Sequence, residues 1–167
     1  MQWDKVETVN KMQMYIAKYV ELNDVNLDDL YSNIGYSRRH ANRIFKELTG
    51  KTPIEYIRSI RLSKSAVFVK NGSDSILNIA LNTDFHSHEG YTRAFYEEFG
   101  TNPNTYRKVQ MPIPIFVQYP IKHYYSYLNN REITSMRNEQ ETPICMVTVI
   151  HRPKRKLLVM RSKGAHD

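Results

Sequence analysis

Cysteine is nearly absent. The single thiol, Cys145, excludes an intrachain disulfide and a zinc site on paired cysteines, and it suits a reducing compartment. No run of about 18 apolar residues appears, and no leader-like stretch, so a soluble cytoplasmic chain with no membrane contact is expected. The chain has no glycine-rich phosphate loop and no nucleophile elbow, so we assign no catalytic residue, no cofactor and no enzyme activity. Acid is the scarcer charge: 17 Asp and Glu stand against 24 Lys and Arg, a net of +7. That excess favours an anionic partner without locating its site. Residues 1–108 carry 15 cations against 13 acids, and residues 109–167 carry 9 against 4.

What is present centres on residues 37–48. Ser37 suits an N-cap, and Gly50 suits the left-handed position after a helix end. Ala41, Ile44, Phe45 and Leu48 fall at i, i+3, i+4 and i+7, one apolar face. The other face holds Arg38, Arg39, Asn42, Arg43 and Lys46, with no acid. Arginine can read guanine and asparagine can read adenine through the major groove, although most charged faces are only solvated. Just upstream, Asn26 caps a short helix with Asp28 and Asp29 in its first turn and Leu27, Leu30 and Ile34 on its apolar side. Gly35 and Tyr36 then turn the chain. Helix, tight turn and basic second helix form a helix-turn-helix pattern, which is also a common helical hairpin in proteins that bind no DNA.

A shift of 50 residues matches the chain to itself. Ser37 pairs with Ser87, Arg43 with Arg93, Phe45 with Phe95 and Glu47 with Glu97. Gly50 pairs with Gly100, Pro53 with Pro103 and Tyr56 with Tyr106. Asp24 matches Asp74 and Leu27 matches Leu77. Two units of one design therefore follow each other. Between them, Thr52, Pro53 and Glu55 form a capping box with proline at the first position. A helix of about 18 residues, ~27 Å long, is predicted from there to Lys70, anchored by Ile54, Ile57, Ile60, Ala66 and Val69. Its cations Arg58, Arg61 and Lys64 read as solvated, with phosphate contact as the alternative. Residues 3–22 read as a bracing helix, with Met12, Met14, Tyr15 and Tyr19 as packing residues.

The runs Gly35-Tyr36-Ser37 and Arg43-Ile44-Phe45-Lys46, then Ser87 to Phe95, Phe99-Gly100, Pro103 and Tyr106-Arg107, resemble the DNA-binding domain of the AraC/XylS transcription regulators. The resemblance covers about residues 5–108. It implies a mainly α fold with two helix-turn-helix units joined by a long helix, and recognition helices at 37–48 and 87–98. It implies double-stranded DNA as partner and RNA polymerase as a further candidate. Carried over residue by residue, base readers are Arg39, Asn42 and Arg43 in the first unit. In the second they are His88, Glu89, Thr92 and Arg93, with Gly90 offering only backbone. Ser37, Arg38, Lys46, Thr52, Ser87, Asn102 and Arg107 are the phosphate candidates, several of them at helix N-termini. Two positions depart from the family: Tyr31 replaces the usual alanine, and Asp84 the usual glycine of the second turn. Aspartate tolerates a left-handed backbone better than most residues, so the turn is expected to survive.

Beyond residue 108 the pattern changes. Residues 109–143 are expected to be a linker, with a strand over Ile113, Ile115 and Val117 and tyrosines 119, 124, 125 and 127 packing on the helical domain. Residues 144–151 and 156–161 read as two strands of a short β-containing tail spanning 144–167. They resemble the opening of a GyrI-like effector-binding domain. A complete domain of that kind, and with it a small-molecule effector, needs more chain than the residues to Asp167. The run His86-Ser87-His88-Glu89 invites a metal reading, but it falls where the turn and cap are required, and no metal is assigned. The competing reading is an interaction module that keeps this fold but acts through a protein partner or a small molecule.

Overall fold

The computed structural model describes residues 3–72, 74–109 and 111–135. The order is α1 (Trp3–Val20), α2 (Leu27–Ser32), α3 (Arg38–Thr49), α4 (Pro53–Asn71), α5 (Ile76–Asn82), α6 (His88–Phe99), α7 (Pro103–Val109) and α8 (Ile121–Ser135). Among the described residues no strand occurs.

Two cores form, and α4 belongs to both. The first joins α1 (Val6, Val9, Met12, Ile16, Val20) to Leu30 and Tyr31 of α2, to Ala41, Ile44, Phe45 and Leu48 of α3, and to Tyr56, Ile57 and Ile60. The second gathers Leu62, Ala66 and Val69 with Ile76, Ile79, Ala80, Tyr91, Ala94, Phe95, Phe99 and Tyr106. A continuous helix thus carries one unit on each half, at ~28 Å for 19 residues. Its start is fixed by the expected capping box, Thr52 with Glu55, behind Pro53. α1 braces the first unit, and Lys5 pairs with Glu47 of α3 at 3.0 Å.

Two apolar residues lie elsewhere than expected. Met14 is exposed, because Met12 and Ile16 hold the inward face and a residue two positions on from Met12 points away. Ile54 is exposed in the first turn of α4, beyond the edge of the first core.

The stretch expected as a linker is largely packed. Residues 111–120 cross α4 as a strap without strand pairing. Pro112, Pro114 and Pro120 offer no amide hydrogen, and the Phe116 amide donates to Ser63 Oγ at 2.8 Å. Ile113 packs on the second core and Phe116 on the first, edge-on to Tyr56 at 4.9 Å. Ile121 is fully buried at the start of α8. Gln13 supplies the polar partners there: Nε2 donates to Tyr56 Oη (3.0 Å) and to the Tyr119 carbonyl (3.1 Å), and Oε1 accepts from the Ile121 amide (3.0 Å). Lys122 pairs with Glu7 at 2.7 Å, which lies α8 along α1 and holds the Glu7 carboxyl below its ordinary pKa. The packed region therefore continues past 108, the boundary expected from sequence. The two strands expected in 144–161 lie outside the described residues.

Candidate nucleic-acid interface

The two recognition helices are built alike. Ser37 Oγ accepts from the His40 amide at 3.4 Å, and Ser87 Oγ accepts from the Gly90 amide at 3.0 Å. Both end on a left-handed glycine, Gly50 and Gly100. A β-carbon on Gly90 would stand 3.0 Å from Ser87 Oγ, so glycine there lets the serine close on the helix start. Asp84 adopts φ +63° in the second turn, as the sequence suggested for this departure from glycine. Its carboxylate also pairs with Arg61 at 2.7 Å, a contact that helps retain aspartate in a position glycine would fill more easily.

The apolar faces of α3 and α6 are buried in their cores, so their other faces look outward. On α3, Arg38, Arg39, Arg43 and Lys46 are exposed. Arg39 has no protein partner among the described residues. Arg43 Nη2 lies 3.2 Å from His40 Nδ1, and the His40 ring stacks on Tyr36 at 4.7 Å. His40 was not singled out from sequence; its aromatic neighbour four residues earlier was the available sign. Asn42 is half-buried, and its Oδ1 accepts from Tyr31 Oη at 2.5 Å. The Arg38 guanidinium lies over the Tyr31 ring at 4.9 Å, with Asp28 3.7 Å away. Tyr31 thus finds its room between α2 and α3, buried and hydrogen-bonded.

On α6, Glu89 and Arg93 are exposed and His88 is half-buried. Thr92 is half-buried with its Oγ1 covered and unpartnered among the described residues, so only part of this side chain reaches the outer face. This second face is less cationic than the first, as expected. Its acids at the far end turn toward α4 and its N-terminal approach: Glu97 meets Arg58 at 3.0 Å, and Glu98 meets Lys51 at 3.7 Å. Arg58, exposed as expected, and Arg61, half-buried, both pair with acids of the second unit.

The phosphate candidates divide. Ser37 and Ser87 act as caps. Thr52 is closed within its capping box, where its amide and hydroxyl donate to Glu55 Oε2 at 2.7 and 2.9 Å. Those hydrogen bonds hold the Glu55 carboxyl below its ordinary pKa. Asn102 Oδ1 accepts from the Thr105 amide at 2.8 Å. Lys46 and Arg38 remain on the outer surface. Arg107 takes a different place from the one expected: its guanidinium donates to the carbonyls of Val69 (3.2 Å) and Asp74 (2.7 Å), closing the corner between α4 and α5. The Val69 carbonyl, in the last turn of α4, is one of the unpaired carbonyls of a helix end that attract such a cation. Among the described residues no group of three or more His, Cys, Asp or Glu could share a metal ion. No described helix is long and apolar enough to cross a membrane.

A family model described as a helix-turn-helix domain matches residues 30–109. The right origin-binding protein of Escherichia coli K12 is 43% identical over 84 residues, 50% of this chain and 29% of that protein. The probable transcription factor PqrA of Proteus vulgaris is 35% identical over 101 residues, 60% of this chain and 83% of that protein. Among solved structures, a transcriptional regulator of Chromobacterium violaceum with an AraC-type DNA-binding domain superposes with a TM-score of 0.52 at 25% identity, over 59% of this chain and 89% of that one. The chain therefore spans most of PqrA but under a third of the right origin-binding protein. Paired Ser-capped helices on one connecting helix and these likenesses place the chain in the AraC-type helix-turn-helix family.

Proposed function

We propose that this protein is a sequence-specific DNA-binding transcription regulator acting in the cytoplasm. Helices α3 and α6 enter two adjacent major-groove segments. The observation that carries this reading is the pair of matching helices, each capped by serine and buried on one side, mounted on the two halves of α4. Arg39, Asn42 and Arg43 read bases in the first segment. His88, Glu89, Arg93 and the exposed part of Thr92 do so in the second. Arg38 and Lys46 supply phosphate contacts, which position the protein without specifying sequence. The first unit provides most of the electrostatic attraction, and the second, with Glu89 able to accept from a cytosine amine, provides selectivity. RNA polymerase is the proposed partner in regulation. Residues 144–161 are proposed, on their resemblance alone, as the opening of a GyrI-like effector-binding domain, and an effector follows only where that domain is complete.

The test is binding to a selected duplex at several salt concentrations. Affinity should fall steeply as salt rises, because neutralising phosphates releases counterions. Affinity independent of salt would remove DNA as the partner and favour a protein-interaction module.

A further inference from the structure

Tyr31 sits behind the recognition helix rather than on its outer face, yet it holds one of the side chains proposed to read bases. Its hydroxyl lies 2.5 Å from Asn42 Oδ1. That separation suits an O–H donor facing an oxygen, and it is shorter than an amide N–H donor ordinarily makes. The amide oxygen of Asn42 is therefore the end turned inward, and the NH2 group is the end turned out. The tyrosine is itself held: its ring is buried between α2 and α3, and the Arg38 guanidinium covers it at 4.9 Å. A free asparagine reads adenine by donating to N7 and accepting from the N6 amine. The oxygen keeps a second lone pair, but it is turned inward onto the Tyr31 hydroxyl, so the group Asn42 presents outward is its NH2 donor. It would meet the N6 amine of adenine with a second donor, whereas guanine offers acceptors at both N7 and O6, and thymine offers one at O4.

We propose that Tyr31 is a specificity-determining residue: by holding Asn42 Oδ1 inward it makes Asn42 present its NH2 donor to the base, which favours guanine or thymine over adenine. This rests on Asn42 reading a base, as proposed above.

The experiment is selection of bound sites from random duplexes at one salt concentration, using the full chain and two variants. Asn42→Ala locates the base pair: preference should relax at one position and persist elsewhere. At that position the unaltered protein should select guanine or thymine. Tyr31→Phe keeps the buried ring under Arg38 and removes only the hydroxyl. It should raise the frequency of adenine there by roughly fivefold or more relative to guanine, with the other positions unchanged. If Asn42→Ala alters no position, the base-reading role fails and this inference with it. If Asn42→Ala relaxes one position but the unaltered protein already selects adenine there, Tyr31 does not fix the amide, and the base-reading role stands alone. A folded Tyr31→Phe protein with an unchanged profile overturns the inference in the same way.

Discussion

Arg43 lies on the outer face of α3, one helical turn after His40 and beside Asn42, where it can reach the floor of a groove. Replacing it with alanine should weaken binding to the preferred site by about 1–3 kcal/mol and relax preference at one or two base pairs. Competition between preferred and unrelated duplexes measures this. An equal loss on every sequence would mean that Arg43 contacts phosphate. Two other residues set the response to alkali. Tyr56 and Tyr91 are fully buried, and burial pushes their phenols up to about 12. The hydrogen bond from Gln13 to Tyr56, and that between Tyr91 and Ser65 (2.9 Å), oppose the shift only in part. In the unfolded chain these groups ionise near pH 10. The folded state then keeps protons that the unfolded state has lost. Their contribution is complete below about pH 10 and declines between about 10 and 12, by roughly 2–3 kcal/mol for each. Urea unfolding across that range should show the decline, and Tyr91→Phe should make it shallower. An identical slope in the variant would show that Tyr91 titrates alike in both states.

Among the elements, the strap and α8 change most in meaning. Ile121 is fully buried in the first core, and Phe116 packs on Tyr56, which in turn meets Phe45 of α3 edge-on at 5.3 Å. Ile121→Ala should cost about 2–5 kcal/mol of stability. Truncation after Lys108 should lower the thermal midpoint markedly, since it uncovers Tyr56 and leaves Gln13 without two of its three partners. Calorimetry of both proteins checks this; a truncated chain that unfolds at the same temperature would show the strap to be dispensable. The sequence alone places the boundary of the helical domain at residue 108 and does not show the strap. The reason the strap was missed is physical. α3, α4 and α6 announce themselves by local signals: Ser, Thr and Pro at starts, Gly at ends, apolar residues at helical spacing. The strap has no such period, and its anchoring depends on a buried glutamine more than 100 residues earlier in the chain. The same distinction holds at the interface. Ser37, Ser87, Asp84 and the outward arginines were readable from spacing and the 50-residue repeat. The contacts of Tyr31 with Asn42 and of Arg107 with the α4–α5 corner arise only when distant segments meet.

For the whole molecule, α4 sets the spacing of the two units. At ~28 Å for its 19 residues it is shorter than the ~34 Å between successive turns of the groove. The second core joins the second unit to α4 through Leu62, Ala66 and Val69, and the ion pairs Arg58–Glu97 and Arg61–Asp84 lie beside it. If both helices insert, the duplex should bend to meet them, at roughly 1–6 kcal/mol of deformation. Gel mobility of permuted sites should reveal that bend. The central claim, that one chain reads two adjacent major-groove segments, is tested most directly by methylation protection of guanine N7 in a one-to-one complex. The account predicts two clusters of protected guanines about one helical turn, roughly 10 base pairs, apart, with Arg93→Ala exposing only one of them. Protection of a single cluster by the unaltered protein would contradict it.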